Sequence, residues 1–382
     1  MPILVVEAAT FGGNIMPEGW LVRAPTAWAH VPHASSSHRA TFGAPQEGEV
    51  AELEAAGVDV RLGLAQQPDD VQAEWLAEAN ALVMFSHTHI DAEFLDTTPN
   101  LQIVLTPSVG FDNIDAVECA RRGIYVTNGA GSITETTADL TLCCLLGACR
   151  RLGANHMAVV AGPEASARTW FVGAGGLGDD PGEYFGGPNK VLGIVGFGRI
   201  GQALAQKCRA AFNMDIIFHD IHHVSSHVSG ARQVPFDELL ATADFVSINS
   251  LLDDSSRHLI GKVELAKMKK GSYLINVARG PLVDEDALVE ALESGHLAGA
   301  GLDVYEYEPP EAKPATDDEP GTIGPGKALR EAPNVFLQPH SGSATTRARQ
   351  EMQYLCMRNI KAALVEGRGP LTPVNMPLNA KL

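Results

Sequence analysis

Short apolar runs rich in β-branched residues alternate with longer amphipathic runs along most of the chain. In the first third, helices are predicted at 69–80 and 112–123, the second ending at a glycine after two arginines, as helix C-termini commonly do. The strands predicted around them are residues 3–7, 58–62, 81–85, 101–105 and 124–128. Strands that alternate with helices form parallel sheets covered on both faces, so this region is predicted to be α/β.

A second series of the same kind follows residue 190. Its predicted strands lie in the runs VLGIV, MDIIF, FVSIN, SYLINV, AGAGLDV and VFLQ. Residues 134–152 predict one long helix that links two domains, and 344–367 predict a terminal helix that could fold back on the first domain. The pattern therefore predicts a first domain of residues 1–130 and 343–382 and a second domain of residues 131–342.

Composition narrows the partners and the compartment. The chain has 382 residues and a formal net charge of −18, with no basic block, which argues against a nucleic acid or an anionic membrane as partner. Its N-terminus lacks the features of a signal peptide, and no apolar run reaches the ~18 residues of a membrane span. The six cysteines form no CxxC pair, and three of them crowd one helical stretch, as buried thiols would. A cytoplasmic location is predicted.

A glycine motif opens the second series. Gly196, Gly198 and Gly201 form a GxGxxG sequence, with Arg199 and Ile200 between the last two, directly after the run VLGIV and at the start of a helical run. Such glycines allow a tight turn and close approach of backbone to a pyrophosphate at a helix N-terminus. Asp220 ends the next predicted strand, where a carboxylate accepts hydrogen bonds from ribose hydroxyls and repels a 2′-phosphate. The motif predicts NAD as cofactor, with NADH preferred over NADPH.

Three later segments resemble the D-isomer-specific 2-hydroxyacid dehydrogenase family. They are Asn276–Gly280, Gly301–Pro309 and Gln338–Gly342, and Ser108–Asp115 is similar to that family's substrate loop. The runs SVGFDNID and HSGSATTRAR look closest to its glyoxylate/hydroxypyruvate reductase branch. The resemblance implies a Rossmann dinucleotide-binding domain and a flavodoxin-like substrate domain, both doubly wound parallel sheets, with the active site in the cleft between them.

By this resemblance Arg279 holds the substrate carboxylate and His340 is the acid/base, oriented by Glu308. The chemistry agrees: a guanidinium matches a planar carboxylate, and hydride addition to a carbonyl needs a proton donor at its oxygen. Glu306 competes with Glu308 as partner of the histidine, but it lies two residues off the family's spacing. The three residues each follow a predicted strand, at the edge where α/β sheets bind ligands.

Further residues are assigned by the resemblance alone. Asp303 would lie near the nicotinamide carboxamide, although a strand-end cap is the alternative, and Val277 would bind the cofactor. The backbone N–H groups of Val109 and Gly110 would bind the substrate carboxylate. His87 follows a predicted strand where the family has another substrate loop, although an ordinary loop residue explains it equally well. The remaining histidines lack acidic or cysteine partners in a known metal spacing, so no metal is predicted.

Some segments depart from the family's pattern. Where the family often has His-x-Pro after the strand FVSIN, this chain has Asn249-Ser250-Leu251. Extra residues occur at 8–50, between Trp170 and Gly193, and at 310–326, the last being an acidic, Pro- and Gly-rich surface loop. These segments could reshape the entrance to the site, so they bear directly on the choice of substrate.

The expected function is reduction of a small 2-oxo acid, glyoxylate or hydroxypyruvate, by a homodimeric enzyme. A larger or aromatic 2-oxo acid stays open as substrate. A different class of protein is also open, because the corepressors related to this family keep the same three residues and act as NAD-sensing scaffolds. Turnover with a 2-oxo acid distinguishes the enzyme from the scaffold.

Overall fold

The computed structural model describes residues 3–6, 47–64, 67–84, 88–162, 190–308 and 324–375. The chain divides into two compact units: residues 1–133 with 344–382, and residues 134–343. His87, residues 8–46, 310–323 and the stretch 163–189 lie outside the described residues.

The first unit contains a parallel sheet of five strands in the order β2-β1-β3-β4-β5. This is the order of flavodoxin-like doubly wound sheets. The strands are β1 (Ile3–Val6), β2 (Asp59–Leu62), β3 (Ala81–Val83), β4 (Ile103–Leu105) and β5 (Tyr125–Thr127). The helices are α1 (Glu47–Ala55), α2 (Asp69–Glu78), α3 (Ala92–Asp96), α4 (Ala116–Arg121) and, near the C-terminus, α12 (Thr346–Ile360).

The second unit contains a parallel sheet of seven strands in the order β12-β11-β10-β9-β6-β7-β8. Strands β7 and β8 follow β6 on one side, and β9 to β12 follow it on the other side, as in a Rossmann sheet. The strands are β6 (Val191–Val195), β7 (Asp215–His219), β8 (Arg232–Gln233), β9 (Phe245–Ile248), β10 (Tyr273–Asn276), β11 (Gly299–Leu302) and β12 (Val335–Leu337). The helices are α5 (Thr134–Cys149), α6 (Leu152–Val160), α7 (Arg199–Phe212), α8 (Phe236–Thr242), α9 (Lys262–Lys267), α10 (Glu285–Glu293) and α11 (Lys327–Glu331).

Alternate residues of the central strands fill two apolar layers, one on each face of this sheet. In β10, Leu274 packs into one layer, whereas Tyr273 and Ile275 pack into the other. This follows from the two-residue period of a strand, and burial on both faces explains why these strands are continuously apolar in sequence. The predicted α/β fold with two doubly wound sheets is confirmed.

The predicted long helix over 134–152 is wrong in one respect. Helix α5 ends at Cys149, Arg151 has a left-handed backbone (φ 50°), and α6 begins at Leu152. A run without proline and with helical spacing gives no warning of this break, because arginine is an ordinary helix former. The terminal helix likewise ends earlier than predicted, at Ile360, and continues as one π-helical turn over Lys361–Val365.

The cysteines yield a prediction about thiol reactivity. Cys143 is exposed on α5, contrary to the expectation that all three cysteines of that helix are buried, and the other five are buried. Burial raises the pKa of the Cys144, Cys149 and Cys208 thiols to about 12, so they carry almost no thiolate at neutral pH. At pH 7.5, iodoacetamide should therefore modify Cys143 alone in the native protein. Peptide mass mapping checks this, and rapid labelling of a second cysteine would contradict it.

Candidate active site

The glycine turn of the second unit joins β6 to the N-terminus of α7. Gly196 has φ 88°, and a side chain there would meet the Asn249 backbone at 2.7 Å, so only glycine fits. A side chain at Gly201 would meet the Gly196 carbonyl oxygen at 2.6 Å, so this glycine lets helix and turn approach closely. At Gly198, the N-cap of α7, a Cβ would meet nothing within 4 Å. The turn thus exposes backbone in front of a helix N-terminus, the arrangement that binds phosphates.

Asp220 follows β7 and is held against this turn. Its Oδ2 accepts a hydrogen bond from the Phe197 N–H at 2.9 Å, and its Oδ1 accepts one from the His222 N–H at 3.0 Å. From β8, the Gln233 Nε2 donates to the carbonyl oxygens of Asp220 and His222, at 3.1 and 2.8 Å. The carboxylate therefore has a fixed position beside the glycine turn. An open helix N-terminus with an acid beside it fits the pyrophosphate and ribose of a dinucleotide.

Arg279 lies in a structured turn after β10. Asn276 brackets the turn, since its Nδ2 donates to the Arg279 carbonyl oxygen at 2.8 Å and its Oδ1 accepts from the Ala278 N–H at 3.0 Å. The Arg279 Nη1 donates to the Ala278 carbonyl oxygen at 2.9 Å. The next residue, Gly280, packs so closely on Tyr305 that any Cβ would lie 1.8 Å from its carbonyl carbon. Replacement of Gly280 is therefore excluded without movement of the loop that follows β11.

His340 and Glu308 are in direct contact. The Nδ1 of His340 lies 2.6 Å from Oε2 of Glu308, and the second oxygen of this carboxylate accepts the Tyr305 N–H at 2.8 Å. Because a carboxylate accepts, the imidazole donates from Nδ1, which leaves Nε2 of the half-exposed ring for another partner. Glu306 does not compete for His340, since its carboxylate binds Nε2 of His258 at 2.8 Å.

Asp303 is fully buried and holds the turn that carries His340. Its two carboxylate oxygens accept the N–H groups of Ser341 and Gly342 at 2.7 and 2.8 Å, and its carbonyl oxygen accepts the His340 N–H at 2.8 Å. Burial raises the pKa of Asp303, an effect that these two N–H donors partly offset. His340 itself has a left-handed backbone (φ 53°), which is unusual for a residue with a side chain.

The predicted residues of the second unit thus meet at one sheet edge. The glycine turn, Asp220, Arg279 and His340 each follow a parallel strand, and the carboxyl ends of parallel strands share an edge. Val277 is buried and lies against Gly342, whereas Arg199 and Ile200 occupy the first turn of α7. Sequence reasoning missed the contact between His258 and Glu306, which only a long-range pairing of loops reveals.

The predicted substrate loop lies in the first unit. The carbonyl oxygens of Ser108, Val109 and Gly110 accept hydrogen bonds from Gly129 N–H, Asn128 Nδ2 and Ser108 Oγ, at 2.7, 2.7 and 2.6 Å. The loop is therefore fixed through its carbonyl groups. In the described part of the chain, no group of three or more His, Cys, Asp or Glu side chains is arranged to hold a metal ion. No described helix has the length and apolarity needed to cross a membrane.

The strand order, the glycine turn and the carboxylate that follows β7 define a dinucleotide-binding α/β protein. The family model for the NAD-binding domain of D-isomer specific 2-hydroxyacid dehydrogenases matches residues 146–342. The glyoxylate reductase of Thermococcus litoralis is 39% identical over 310 residues, which cover 81% of this chain and 87% of the relative. This chain therefore belongs to the D-isomer-specific 2-hydroxyacid dehydrogenase family of oxidoreductases, as its motifs predicted.

Solved structures agree with this assignment. A glyoxylate reductase from Paecilomyes thermophila has a TM-score of 0.74 and 29% identity, covering 98% of each chain. An NADPH-dependent glyoxylate/hydroxypyruvate reductase from Sinorhizobium meliloti, in complex with NADP and malonate, has a TM-score of 0.71 and 25% identity, covering 98% of this chain and 96% of that one.

Proposed function

We propose that this chain reduces a small 2-oxo acid, glyoxylate or hydroxypyruvate, to the corresponding 2-hydroxy acid with NADH. The observation that carries this proposal is the 2.6 Å contact between Nδ1 of His340 and the Glu308 carboxylate. This contact leaves Nε2 of the ring to carry the proton, at the same edge of the sheet as the glycine turn. The similarity to glyoxylate reductases supports the choice of substrate. The cytoplasmic location predicted from the sequence is part of the same proposal.

The proposed reaction needs three functions from the protein. A dinucleotide held by the glycine turn and Asp220 would supply the hydride for the 2-carbon. Arg279 binds the substrate carboxylate, aided by the N–H groups of Val109 and Gly110. His340 in its protonated form then gives the Nε2 proton to the carbonyl oxygen, and in the reverse direction the neutral ring accepts it. Glu308 keeps the proton on Nδ1 and stabilises the imidazolium electrostatically.

A substrate panel tests the proposal. NADH consumption is measured with glyoxylate, hydroxypyruvate, pyruvate, 4-methyl-2-oxopentanoate and phenylpyruvate at equal concentrations. We expect the largest kcat/KM with one of the first two acids. A larger or aromatic acid as best substrate would correct the substrate class. Binding of NADH without turnover of any acid would contradict an enzymatic function and favour a scaffold.

Asp220 should determine the choice of cofactor. Its fixed carboxylate would meet the ribose hydroxyls of NADH and repel the 2′-phosphate of NADPH. We expect kcat/KM for NADH to exceed that for NADPH by at least about tenfold, or ~1.4 kcal/mol. Asp220→Asn keeps an acceptor for the Phe197 N–H and should narrow this ratio mainly by weakening NADH. Asp215→Asn, at the exposed start of the same strand, is the matched control. Equal use of both cofactors by the wild type would refute the assignment.

We also propose that the protein is a homodimer that associates through α6. No residue of this helix is buried, and Val159 and Val160 are 67% and 62% exposed beside exposed Leu152 and Met157. Contiguous exposed apolar residues commonly mark a protein interface. Light scattering should give twice the 40.5 kDa chain mass for the wild type and a single chain mass for Val159→Glu. Val117→Glu, equally apolar and exposed on α4, should leave the dimer intact. A monomeric wild type would contradict the proposal.

A further inference from the structure

The loop after β11 contains two carboxylates, and each binds a different histidine. Glu308 binds His340 at 2.6 Å, and Glu306 binds His258 at 2.8 Å. The side chain of Glu306 is mostly buried, whereas that of His258 is about half-exposed. The second pair has no part in the proposed proton transfer, because its histidine is not the one that contacts Glu308. Its two residues are 48 positions apart in the sequence, so the contact joins two different loops.

The backbone of His258 is tied to the turn that carries Arg279. The His258 N–H donates to the Pro281 carbonyl oxygen at 2.8 Å, two residues after Arg279. The Ile260 N–H then donates to the Leu282 carbonyl oxygen at 3.0 Å, and the Asp284 N–H donates back to the Ile260 carbonyl oxygen at 3.1 Å. Residues 258–260 therefore run beside residues 281–284 as a short parallel bridge, which holds the arginine turn from one side.

The side chain of His258 reaches the other loop, the one that carries Glu308. Besides His258, this loop is held by Glu285, whose Oε1 accepts the Glu306 N–H at 2.7 Å. Glu285 is buried at the start of α10. Glu306 therefore binds the Glu285 carboxylate through its backbone N–H and carries a second carboxylate on its own side chain. Glu306 is thus held twice, by its N–H on the Glu285 carboxylate and by its own carboxylate on the imidazole of His258.

His258 has a left-handed backbone (φ 51°), like His340. A residue with a Cβ rarely adopts this conformation, and it persists where the surrounding contacts impose it. Here the N–H bond to Pro281 and the side-chain bond to Glu306 act on the same residue from two loops. Glycine or asparagine would adopt this backbone more easily, so the backbone alone does not call for histidine.

We propose that His258 is a positioning residue that couples the arginine turn to the glutamate loop through its contact with Glu306. It keeps the substrate-carboxylate anchor at Arg279 in register with the Glu308–His340 pair. The inference rests on the proposed function, since it assigns His258 a role in the same reaction. A displacement of about 1 Å between reacting groups can lower a rate by up to about 100-fold, so such coupling has a measurable effect.

The test uses His258→Asn, which suits the left-handed backbone and removes the contact with Glu306. We expect kcat/KM for glyoxylate to fall about tenfold, with the NADH dissociation constant, measured by fluorescence titration, unchanged. Glu306→Ala should have the same effect, and the double variant should be no worse than either single variant. Glu306→Gln keeps a side-chain oxygen that can accept a hydrogen bond from the His258 ring, so it should retain most of the wild-type activity that Glu306→Ala loses. His296→Asn is the matched control, since that ring binds the Met268 carbonyl oxygen away from these loops.

Several outcomes would overturn the inference. One is a wild-type kcat/KM for glyoxylate in His258→Asn, and another is additive losses of kcat/KM in the double variant. A third is a loss of NADH affinity and a lower melting temperature that are large enough to explain the whole fall in kcat/KM. If His258→Asn does not fold, Glu306→Ala and Glu306→Gln still test the inference, because only the glutamine can keep the contact with His258. Equal kcat/KM in these two variants would overturn it. Absence of any 2-oxo acid turnover in the wild type would instead refute the proposed function, and the two failures are thereby distinguished.

Discussion

Replacement of His340 by asparagine is expected to lower kcat for 2-oxo acid reduction by about 10²–10⁴-fold, the usual contribution of a positioned acid/base. Asparagine is chosen because it tolerates the left-handed backbone at this position (φ 53°), so that the turn held by Asp303 remains intact. Steady-state kinetics with glyoxylate and an NADH titration measure the two effects separately. The NADH dissociation constant should stay within about twofold, since no cofactor contact is assigned to this ring.

The control for this prediction is His296→Asn. That histidine lies before β11, at the opposite edge of the sheet, and its ring binds the Met268 carbonyl oxygen at 3.0 Å. The His296→Asn variant should therefore retain the wild-type kcat for glyoxylate reduction. If His340→Asn turns over glyoxylate at near wild-type rates, His340 is not the acid/base. Another group must then transfer the proton.

Loss of Arg279 is expected to have the second-largest effect. If Arg279 binds the substrate as proposed, Arg279→Ala would remove two charge-assisted hydrogen bonds to the substrate carboxylate, about 3 kcal/mol together, so kcat/KM for glyoxylate should fall about 10²-fold. Arg279→Lys keeps the charge and loses the forked geometry, so it should raise KM and lower kcat together. The KM for NADH should barely change in either variant.

Arg330→Ala is the matched control, because this exposed arginine of α11 binds a backbone carbonyl oxygen, that of Pro325, and should not affect kinetics. The turn around Arg279 is braced by Asn276, so truncation of the side chain should leave the backbone in place. Reduction of glyoxylate by Arg279→Ala at wild-type kcat/KM would show that another group anchors the substrate.

The parts of the structure that follow from periodicity could be predicted from the sequence. Strands buried on both faces give continuous apolar runs, and apolar or β-branched patterns in the sequence predict every described strand except β8. Strand β8 has two exposed residues, Arg232 and Gln233, and therefore carries no apolar signal. The break at Arg151 was missed for a related reason, since the sequence there keeps helical spacing through the break.

Contacts between loops could not be predicted. The sequence placed Asp303 near the nicotinamide by resemblance, and the structure adds that its carboxylate binds the turn of His340. Nothing in the spacing of Glu306 and Glu308 decides which of them meets which histidine, because that depends on how distant segments pack. The departure at Asn249 is a similar case: its backbone lies against Gly196, so this loop shapes the glycine turn directly.

In the proposed mechanism one histidine, His340, donates the proton in reduction and accepts it in oxidation. The most direct measurement is a pair of pH–rate profiles, glyoxylate reduction and glycolate oxidation, with deuterated cofactor and substrate used to confirm that hydride transfer limits both rates. We expect the rate of reduction to fall and the rate of oxidation to rise as pH increases over the same interval, and both dependences to vanish in His340→Asn. Profiles that change in the same direction, or that persist without His340, would contradict it.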